Sequence, residues 1–305
     1  MRIGMVGLGR MGMSLAERLI AGSHEVVVYD ILIKNIFMME SGGALGAESL
    51  EDLAGKLEPP RTVWLMLPCG EPVNTTVAVL SDLLAPGDIV IDGSNTHFRD
   101  DLRRAEELMG KGIRYIDAGV SGGIWGLRDG FCIMLGGDPE DIRRIEPVLD
   151  TLSAPGGWAH CGPTGAGHYV KMVHNGVEYA LMEAYGEGFE LLRSSPYGES
   201  FRLEEIARLW NRGAVIRSWL LTLIESALAA DPGLASIEGY IEDTGMGRWT
   251  LEEAVRAGVS VPAIAGALFK RFQSRQEDIF SDKVVAALRK EFGGHPVIPK
   301  GEKNR

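Results

Sequence analysis

The sequence predicts an α/β fold, with an N-terminal doubly wound (Rossmann-type) parallel sheet followed by an all-α C-terminal domain. Short β-rich runs alternate with helical patterns in the first half of the chain, a glycine-rich turn follows the first run, and strand patterns stop near residue 165. We therefore expect one domain over residues 1–165 and a second, helical domain over residues 166–305.

Six strands are predicted in the first domain from their β-branched and apolar content, over residues 2–6, 25–29, 62–67, 88–92, 114–117 and 131–135. Residues 13–21 have apolar side chains at helical spacing, and residues 139–152 begin with a proline suited to a first helical turn. This alternation is typical of a doubly wound sheet.

The second half of the chain is predicted to contain only helices. Residues 168–193 form one uninterrupted helical pattern, and Pro196 lies just beyond its end. Further helices are predicted over residues 203–210, 215–229, 250–257 and 261–274, with a Gly/Pro-rich tail after Phe292. The start of the long helix is the expected domain junction.

Composition narrows the possible partners. The chain has 305 residues, 45% hydrophobic and 24% charged, with a formal net charge of -11, so a surface for nucleic acid would oppose the overall field. A small anionic substrate is still compatible, because a pocket can concentrate a few cations. The three cysteines form no C-x-x-C pair or metal-ligand spacing, so we expect no metal.

The predicted location of the chain is the cytoplasm. Three scattered cysteines suit a reduced compartment, and the N-terminus runs directly into a predicted strand without the pattern of a signal peptide. No apolar stretch approaches the roughly 18 residues of a membrane span, so we expect no membrane contact.

The strongest local signal is Gly7-Leu8-Gly9-Arg10-Met11-Gly12, which follows the first strand and opens a helix. The first glycine permits the tight turn, the second lets a pyrophosphate approach the backbone, and the third allows close packing of helix on strand. These six residues are predicted to bind a dinucleotide; the alternative is a glycine-rich surface turn.

Asp30 ends the second predicted strand, where a carboxylate can bond both ribose hydroxyls and repel a 2′-phosphate. The cofactor is therefore predicted to be NAD, with NADP less favoured. Lys34 lies near enough to weaken this preference, and Asp30 could instead only cap a turn.

Four polar residues share one face of the long helix, namely Lys171, His174, Asn175 and Glu178, because at about 100° per residue they fall within an arc of roughly 100°. Lys171 and Glu178 are separated by roughly 10 Å along the axis, a span that could bracket the reacting carbons of a small sugar acid. Without other evidence, a helix face with these polar residues is more often an ordinary solvent-exposed surface than a catalytic site.

The surrounding residues change that interpretation. The segment 165–179, Gly-Ala-Gly-His-Tyr-Val-Lys-Met-Val-His-Asn-Gly-Val-Glu-Tyr, closely resembles the helix of 6-phosphogluconate dehydrogenases. Four other segments agree in order: Val120-Ser121-Gly122-Gly123, Asp92-Gly93-Ser94-Asn95, Gly247-Arg248-Trp249-Thr250 and Phe292-Gly293-Gly294-His295. The resemblance covers essentially the whole chain and is to the short, NAD-type branch of the family.

The resemblance implies an oxidoreductase of the pentose phosphate pathway and gluconate metabolism. It would oxidise and decarboxylate 6-phosphogluconate to ribulose 5-phosphate, with Lys171 as general base and Glu178 as general acid. The implied substrate-binding residues are Asn95, Ser121, Gly122, Gly123, His174, Asn175, Tyr179, Arg271, Arg289 and His295. The implied cofactor contacts add Leu67, Pro68, Cys69 and Asn95 to the glycine-rich loop and Asp30.

Arg289 and His295 match family residues that reach the site from a partner subunit's tail, so the resemblance implies a homo-oligomer, either dimer or tetramer. The longer enzymes carry Lys and Thr where this chain has Thr244 and Met246, so two phosphate contacts are missing and Arg248 could compensate. Whether the distal phosphate of the substrate is required stays open here.

Two alternatives remain at this point. A β-hydroxyacid dehydrogenase of the 3-hydroxyisobutyrate type shares the fingerprint and a Lys-x-x-x-Asn helix, but such enzymes generally have Asn-Asn where this chain has His174-Asn175. A non-catalytic NAD sensor or scaffold would keep the fold without needing the Lys171 and Glu178 pair.

Overall fold

The computed structural model describes residues 1–298, and the chain divides into two compact units, Met1–Asn175 and a second unit that begins at Gly176. The predicted domain boundary at residue 165 stays a prediction, and the last residues of the predicted second domain, 299–305, lie outside the described residues.

The first unit contains an eight-stranded sheet, which confirms the predicted α/β class. Its strands are β1 (Arg2–Val6), β2 (Glu25–Tyr29), β3 (Leu45–Gly46), β4 (Thr62–Leu65), β5 (Ile89–Asp92), β6 (Arg114–Ser121), β7 (Phe131–Gly136) and β8 (Ser153–Gly162). The order is β3-β2-β1-β4-β5-β6-β7-β8. The topology changes direction between β1 and β4, and in such sheets ligands bind outside the carboxyl ends of the strands at this point.

Helices cover the sheet, and its central strands are buried on both faces, whereas the edge strands β3 and β8 are partly exposed. The helices are α1 (Arg10–Ala21), α2 (Ile33–Ser41), α3 (Leu50–Gly55), α4 (Glu71–Leu83), α5 (Phe98–Met109), α6 (Gly126–Asp129), α7 (Pro139–Arg144) and α8 (Glu146–Leu152). Alternate residues of the central strands β1, β2, β4, β5 and β6 enter two separate cores, as when Trp64 joins one and its neighbours Val63 and Leu65 join the other.

A single long helix, α9 (Ala166–Arg193), follows the sheet and continues into the second unit. The second unit then contains α10 (Leu203–Trp210), α11 (Trp219–Ala230), α12 (Met246–Ala257), α13 (Pro262–Gln273) and α14 (Phe280–Gly293). Its described residues form helices and loops without a strand, as the sequence predicts. Across residues 1–298, no helix has both the length and the apolar content needed to cross a bilayer.

The structure corrects several local predictions. Strand β7 runs antiparallel to β6, so the sheet is mostly rather than wholly parallel. The predicted helix over 139–152 is two helices that meet at Ile145, and the helix predicted from residue 215 begins at Trp219, after the N-cap Ser218. Strands β3 and β8 and helix α14 were not predicted.

Strand β8 was missed because its sequence contains Pro155 and three glycines, which locally favour a loop. It lies at the sheet edge and pairs only with β7, where a proline and irregular register are tolerated.

Candidate active site

The glycine-rich turn joins the end of β1 to the start of α1. Gly7 has φ +93°, and a Cβ there would lie 2.4 Å from the backbone oxygen of Met66. A Cβ on Gly12 would lie 2.0 Å from the oxygen of Gly7, so α1 packs directly against the turn. A Cβ on Gly9, in contrast, would meet no atom within 4 Å. The backbone of Gly9 therefore faces open space at a helix N-terminus, where a pyrophosphate fits.

Asp30 lies beside this turn at the end of β2. Its Oδ2 accepts a hydrogen bond from the N–H of Leu8 at 2.6 Å, and its Oδ1 accepts one from the N–H of Leu32 at 2.7 Å. The bond from Leu32 caps the turn that follows β2, as the alternative interpretation of Asp30 expects. The bond from Leu8 fixes the carboxylate beside the glycine-rich turn. Each oxygen keeps a further lone pair with which to accept a ribose hydroxyl.

Two further loops leave the same edge of the sheet. Leu67, Pro68 and Cys69 follow β4, and Ser94 and Asn95 follow β5. The hydroxyl of Ser94 accepts a hydrogen bond from the N–H of Leu67 at 3.1 Å, which joins the two loops. Pro68, Cys69 and Asn95 are exposed, so this edge presents them to solvent.

The Ser121-Gly122-Gly123 segment begins at the last residue of β6, which is parallel to β5, so it leaves from that same edge. Gly122 and Gly123 have φ +130° and +52°, conformations that favour glycine. Such a turn can direct backbone N–H groups at a carboxylate.

The start of α9 packs against β6, and it carries Lys171. Lys171 is only 6% exposed. The carboxylate of Asp117 on β6 accepts hydrogen bonds from the N–H groups of Gly165, at 2.6 Å, and His168, at 2.8 Å. The helix N-terminus is therefore bound by a buried anion, which its dipole favours.

Beneath these loops lies a buried polar cluster that the sequence analysis missed, made of Asp92, Thr96, Asp101, Arg104, Tyr115, Asp117 and His168. Nδ1 of His168 lies 2.8 Å from Oδ2 of Asp101, and Arg104 donates to Asp92 at 3.1 Å. The hydroxyl of Tyr115 contacts both Asp92, at 3.0 Å, and Asp101, at 2.8 Å. Asp92 and His168 occur in segments quoted above, but the other members come from separate elements that sequence spacing does not bring together.

Burial and neighbouring charges shift the pKa values of this cluster, and on His168 they act in opposite directions. Burial raises the pKa of Asp92 and of Asp117. Burial alone would lower the pKa of His168, but the charge of Asp101 and the hydrogen bond to it, with Asp92 and Asp117, raise that pKa to about 9. The three carboxylates therefore favour the protonated, cationic form of His168.

Three members of the cluster have the spacing of a metal site. One ligand-type atom from each of Asp101, Asp117 and His168 lies within 4.8 Å of the others. The cations already present account for this arrangement: His168 is bonded to Asp101, and Arg104 lies 3.1 Å from Asp92. We therefore interpret the cluster as a buried ion network.

In the second unit, two residues implied as phosphate ligands are in contact. Cζ of Arg271 lies 3.5 Å from the ring centroid of Tyr179, and the Tyr179 hydroxyl lies 3.3 Å from the hydroxyl of Thr244. Thr244, which stands where the longer enzymes have another residue, thus joins this group. Met246 is 1% exposed and cannot reach a ligand at the surface.

Arg248 is engaged elsewhere. Its guanidinium is bonded to Asp243 and stacks on Phe272 at 4.6 Å from the ring centroid. The structure therefore gives no support to Arg248 as a replacement phosphate ligand.

The remaining implied residues lie on α9 and at the end of α14. Nδ1 of His174 lies 3.1 Å from Oδ1 of Asn175, and Glu178 follows one turn later on α9. Arg289 and His295 are exposed, and the N–H of His295 donates to the Arg289 carbonyl at 3.3 Å. The roles of all these residues are still predictions.

The doubly wound sheet, the glycine-rich turn at its switch point and the helical second unit define a nicotinamide-dinucleotide-dependent dehydrogenase. The family model described as the NAD binding domain of 6-phosphogluconate dehydrogenase matches residues 2–166, and the one for the 6-phosphogluconate dehydrogenase C-terminal domain matches residues 167–292. The chain belongs to the 6-phosphogluconate dehydrogenase family.

Relatives described as 6-phosphogluconate dehydrogenases match nearly the whole chain. The NAD(+)-dependent, decarboxylating 6-phosphogluconate dehydrogenase of Haloferax volcanii is 42% identical over 99% of this chain and 100% of that protein. The Bacillus subtilis enzyme of the same description is 35% identical over 93% of this chain, which spans only 64% of that longer protein.

Solved structures show the same fold. Plasmodium falciparum 6-phosphogluconate dehydrogenase, studied with NADP+ and with 6-phosphogluconate, matches 100% of this chain and 67% of its own, with a TM-score of 0.82 and 26% identity. A 3-hydroxyisobutyrate dehydrogenase of Mycobacterium tuberculosis matches 94% of this chain and 99% of its own, with a TM-score of 0.71 and 23% identity, a likeness of fold alone.

Proposed function

We propose that the chain oxidises and decarboxylates 6-phospho-D-gluconate to D-ribulose 5-phosphate and CO2, with reduction of NAD. The observation that carries this proposal is Lys171, a buried lysine at the start of a helix fixed to the sheet by Asp117. It occurs in a chain that matches a NAD(+)-dependent, decarboxylating relative over that relative's whole length.

Lys171 would act as the general base that takes the proton of the C3 hydroxyl. A lysine must be neutral to accept a proton, and removal from water favours the neutral amine. Bound NAD supplies the hydride acceptor for C3. Once protonated, Lys171 would stabilise the oxygen of the resulting 3-keto acid while CO2 leaves from C1.

Glu178 would then protonate C1 of the enediol, which gives the ketose product. A carboxylic acid placed near the developing carbanion can supply this proton. Ser121, Gly122 and Gly123 would hold the C1 carboxylate, while Asn95, His174 and Asn175 would bind hydroxyls of the substrate.

Tyr179 and Arg271 would bind the distal phosphate. Their mutual contact supports this role, because the stacked guanidinium is held at the tyrosine and can still donate to an anion. The Nη1 atom of Arg271 donates to the carbonyl of Glu242 at 2.8 Å, which fixes it further.

NAD would be preferred to NADP because Asp30 presents a charge at the turn. Its two backbone hydrogen bonds fix the carboxylate in place, so it can bond a ribose but would repel a 2′-phosphate. The contacts with the cofactor would come from Gly7, Leu8, Gly9, Arg10, Met11 and Gly12, with Leu67, Pro68, Cys69 and Asn95.

A homo-oligomer would complete the site. Helix α14 exposes Phe280, Leu288 and Phe292 by 77%, 55% and 77%, an apolar surface that a second copy could cover. Arg289 and His295, at the end of that helix, would then reach the active site of a neighbouring subunit.

The experiment that tests the reaction measures NADH and CO2 together. The purified chain is expected to release one CO2 for each NADH from 6-phosphogluconate, and Lys171→Met should lose at least about a thousandfold in kcat while still binding NAD. Lys111→Met is the matched control, because Lys111 is an exposed lysine paired with Asp82.

Simple 3-hydroxy acids are assayed in parallel with 6-phosphogluconate. NADH formation from 3-hydroxyisobutyrate without CO2, and none from 6-phosphogluconate, would contradict the proposal and favour the other enzyme class. Binding of NAD with no turnover of either acid would favour a sensor or scaffold.

A further inference from the structure

The buried cluster connects the three segments of the first unit that carry the proposed chemistry. The N–H of Leu67 donates to Ser94, and the N–H of Ser94 donates to Asp92 at 2.9 Å. Asp92 is linked through Tyr115 to Asp101. Hydrogen bonds therefore run without a gap from the loop after β4 into the cluster.

The last link reaches the helix of Lys171. Asp101 contacts His168 at 2.8 Å, and His168 lies three residues before Lys171 on α9. Side chains at this spacing have Cβ atoms roughly 5–6 Å apart on a helix. His168 is thus the member of the cluster on the same helix as the proposed base.

A hydrogen bond alone does not account for a histidine at this position. Nδ1 makes the contacts with Asp101 and Thr96, whereas Nε2 is buried and has no hydrogen-bond partner among the described residues. An asparagine could supply the same donor to Asp101 from a neutral side chain. What asparagine could not supply is positive charge.

The charges that act on His168 are those of Asp101 from α5, Asp92 from β5 and Asp117 from β6. Arg104 of α5 lies 3.8 Å from Asp101, and Lys171 follows His168 by three residues on α9. Without the imidazolium, three carboxylates would face a single arginine. Their field would favour the protonated form of any amine nearby.

We propose that His168 is a positioning residue for the reaction, which ties the helix of Lys171 to the loops after β4 and β5 and supplies the positive charge that keeps Lys171 available as a base. This inference rests on the proposed role of Lys171. It adds a residue that would touch neither substrate nor cofactor.

The test compares His168→Asn with the wild type across pH. Asparagine keeps a donor for Asp101 and removes the charge. We expect kcat at pH 7 to fall about tenfold or more, and the acid limb of the kcat profile to move up by about one to two pH units, so that part of the loss is recovered near pH 9. KM for 6-phosphogluconate should change less than about threefold.

His160→Asn is the matched control. His160 is exposed on β8, and its ring bonds only the backbone oxygens of Gly137 and Gly162 among the described contacts. Its pH profile should superimpose on that of the wild type. A His168→Asn profile that also superimposes, or one lowered equally at every pH, would overturn the proposal.

A measurement on the unaltered protein covers the case in which His168→Asn fails to fold. In ¹⁵N spectra of the six histidines, one imidazole should remain doubly protonated at pH 8. Loss of a proton by all six below pH 7.5 would refute the proposed charge. If the wild type forms no NADH from 6-phosphogluconate, the proposed function fails and this inference with it; an active wild type with an unaffected variant refutes this inference alone.

Discussion

Gly119 on β6 leaves just enough room for Lys171. A Cβ on Gly119 would lie 2.4 Å from the Cβ of Lys171 and 3.0 Å from the backbone oxygen of Gly167. The first turn of α9 therefore rests directly on the backbone of the sheet. This close contact fixes the distance between the sheet and the part of α9 that carries Lys171, the proposed base.

Replacing Gly119 by alanine should push α9 away from β6. We expect a loss of about 1–3 kcal/mol in the free energy of unfolding, because the methyl group overpacks a close contact, and a larger proportional loss of kcat than of NAD affinity. Gly186→Ala is the control, since a Cβ at Gly186 on the same helix meets no atom within 4 Å. Urea unfolding and steady-state kinetics would measure both, and a Gly119→Ala protein as stable and active as Gly186→Ala would contradict the expectation.

Asp30→Asn should weaken the preference for NAD. The amide keeps the shape of the side chain but removes the charge that repels a 2′-phosphate. The ratio of kcat/KM for NAD to that for NADP should fall by about ten- to a hundredfold. Glu25→Gln is a charge-matched control at the opposite end of β2, where Glu25 pairs with Arg2. An unchanged ratio in Asp30→Asn would show that the carboxylate does not select the cofactor.

Arg271→Met should affect only substrates that carry a phosphate. Loss of charge-assisted hydrogen bonds should raise KM for 6-phosphogluconate by about ten- to a hundredfold with little change in kcat. Turnover of gluconate, which lacks the phosphate, should be unaffected. Arg256→Met serves as control because Arg256 is exposed and pairs with Glu253 on α12. Equal losses for the two acids would place Arg271 outside the phosphate site.

Stability should decline in alkaline solution because of His168. The pKa of His168 is about 9 in the folded chain, above the roughly 6.5 of an unperturbed histidine. Its contribution to stability is complete below about pH 6.5, declines as the unfolded chain loses its proton first, and is lost as pH rises through 9.

We would measure the free energy of unfolding in urea between pH 6.5 and 9.5. The difference in this free energy between the wild type and His168→Asn should shrink as pH rises, by up to about 1.4 kcal/mol per pH unit. Parallel stability curves would mean that His168 is not a folded-state cation.

Mixed oligomers can test the tail. Lys171→Met and His295→Gln should each be inactive alone, but if His295 serves a neighbouring site, a mixed dimer contains one site with both native residues. Coexpression should then restore about a quarter of the wild-type activity for a randomly assorted dimer. Activity no greater than the sum of the two variants would contradict an exchanged tail.

Local sequence predicted the elements whose signals are contained within themselves. The bounds of β1 and β2 were predicted to the residue, and the glycine-rich turn lies between β1 and α1 as expected. The long helix with Lys171 was also predicted, because its pattern is continuous and no proline interrupts it. Helix α14 was missed because its exposed apolar residues do not mark a face buried within the described chain.

Sequence by itself determined the class of fold, the dinucleotide turn and the family, since each is carried by short motifs whose own residues are close together in the chain. Only the tertiary structure decided how closely Lys171 packs on Gly119, how Thr244 contacts Tyr179, and that carboxylates around the buried His168 raise its pKa. These features depend on strands and helices far apart in sequence, and the charge of His168 depends on carboxylates that only folding brings beside it.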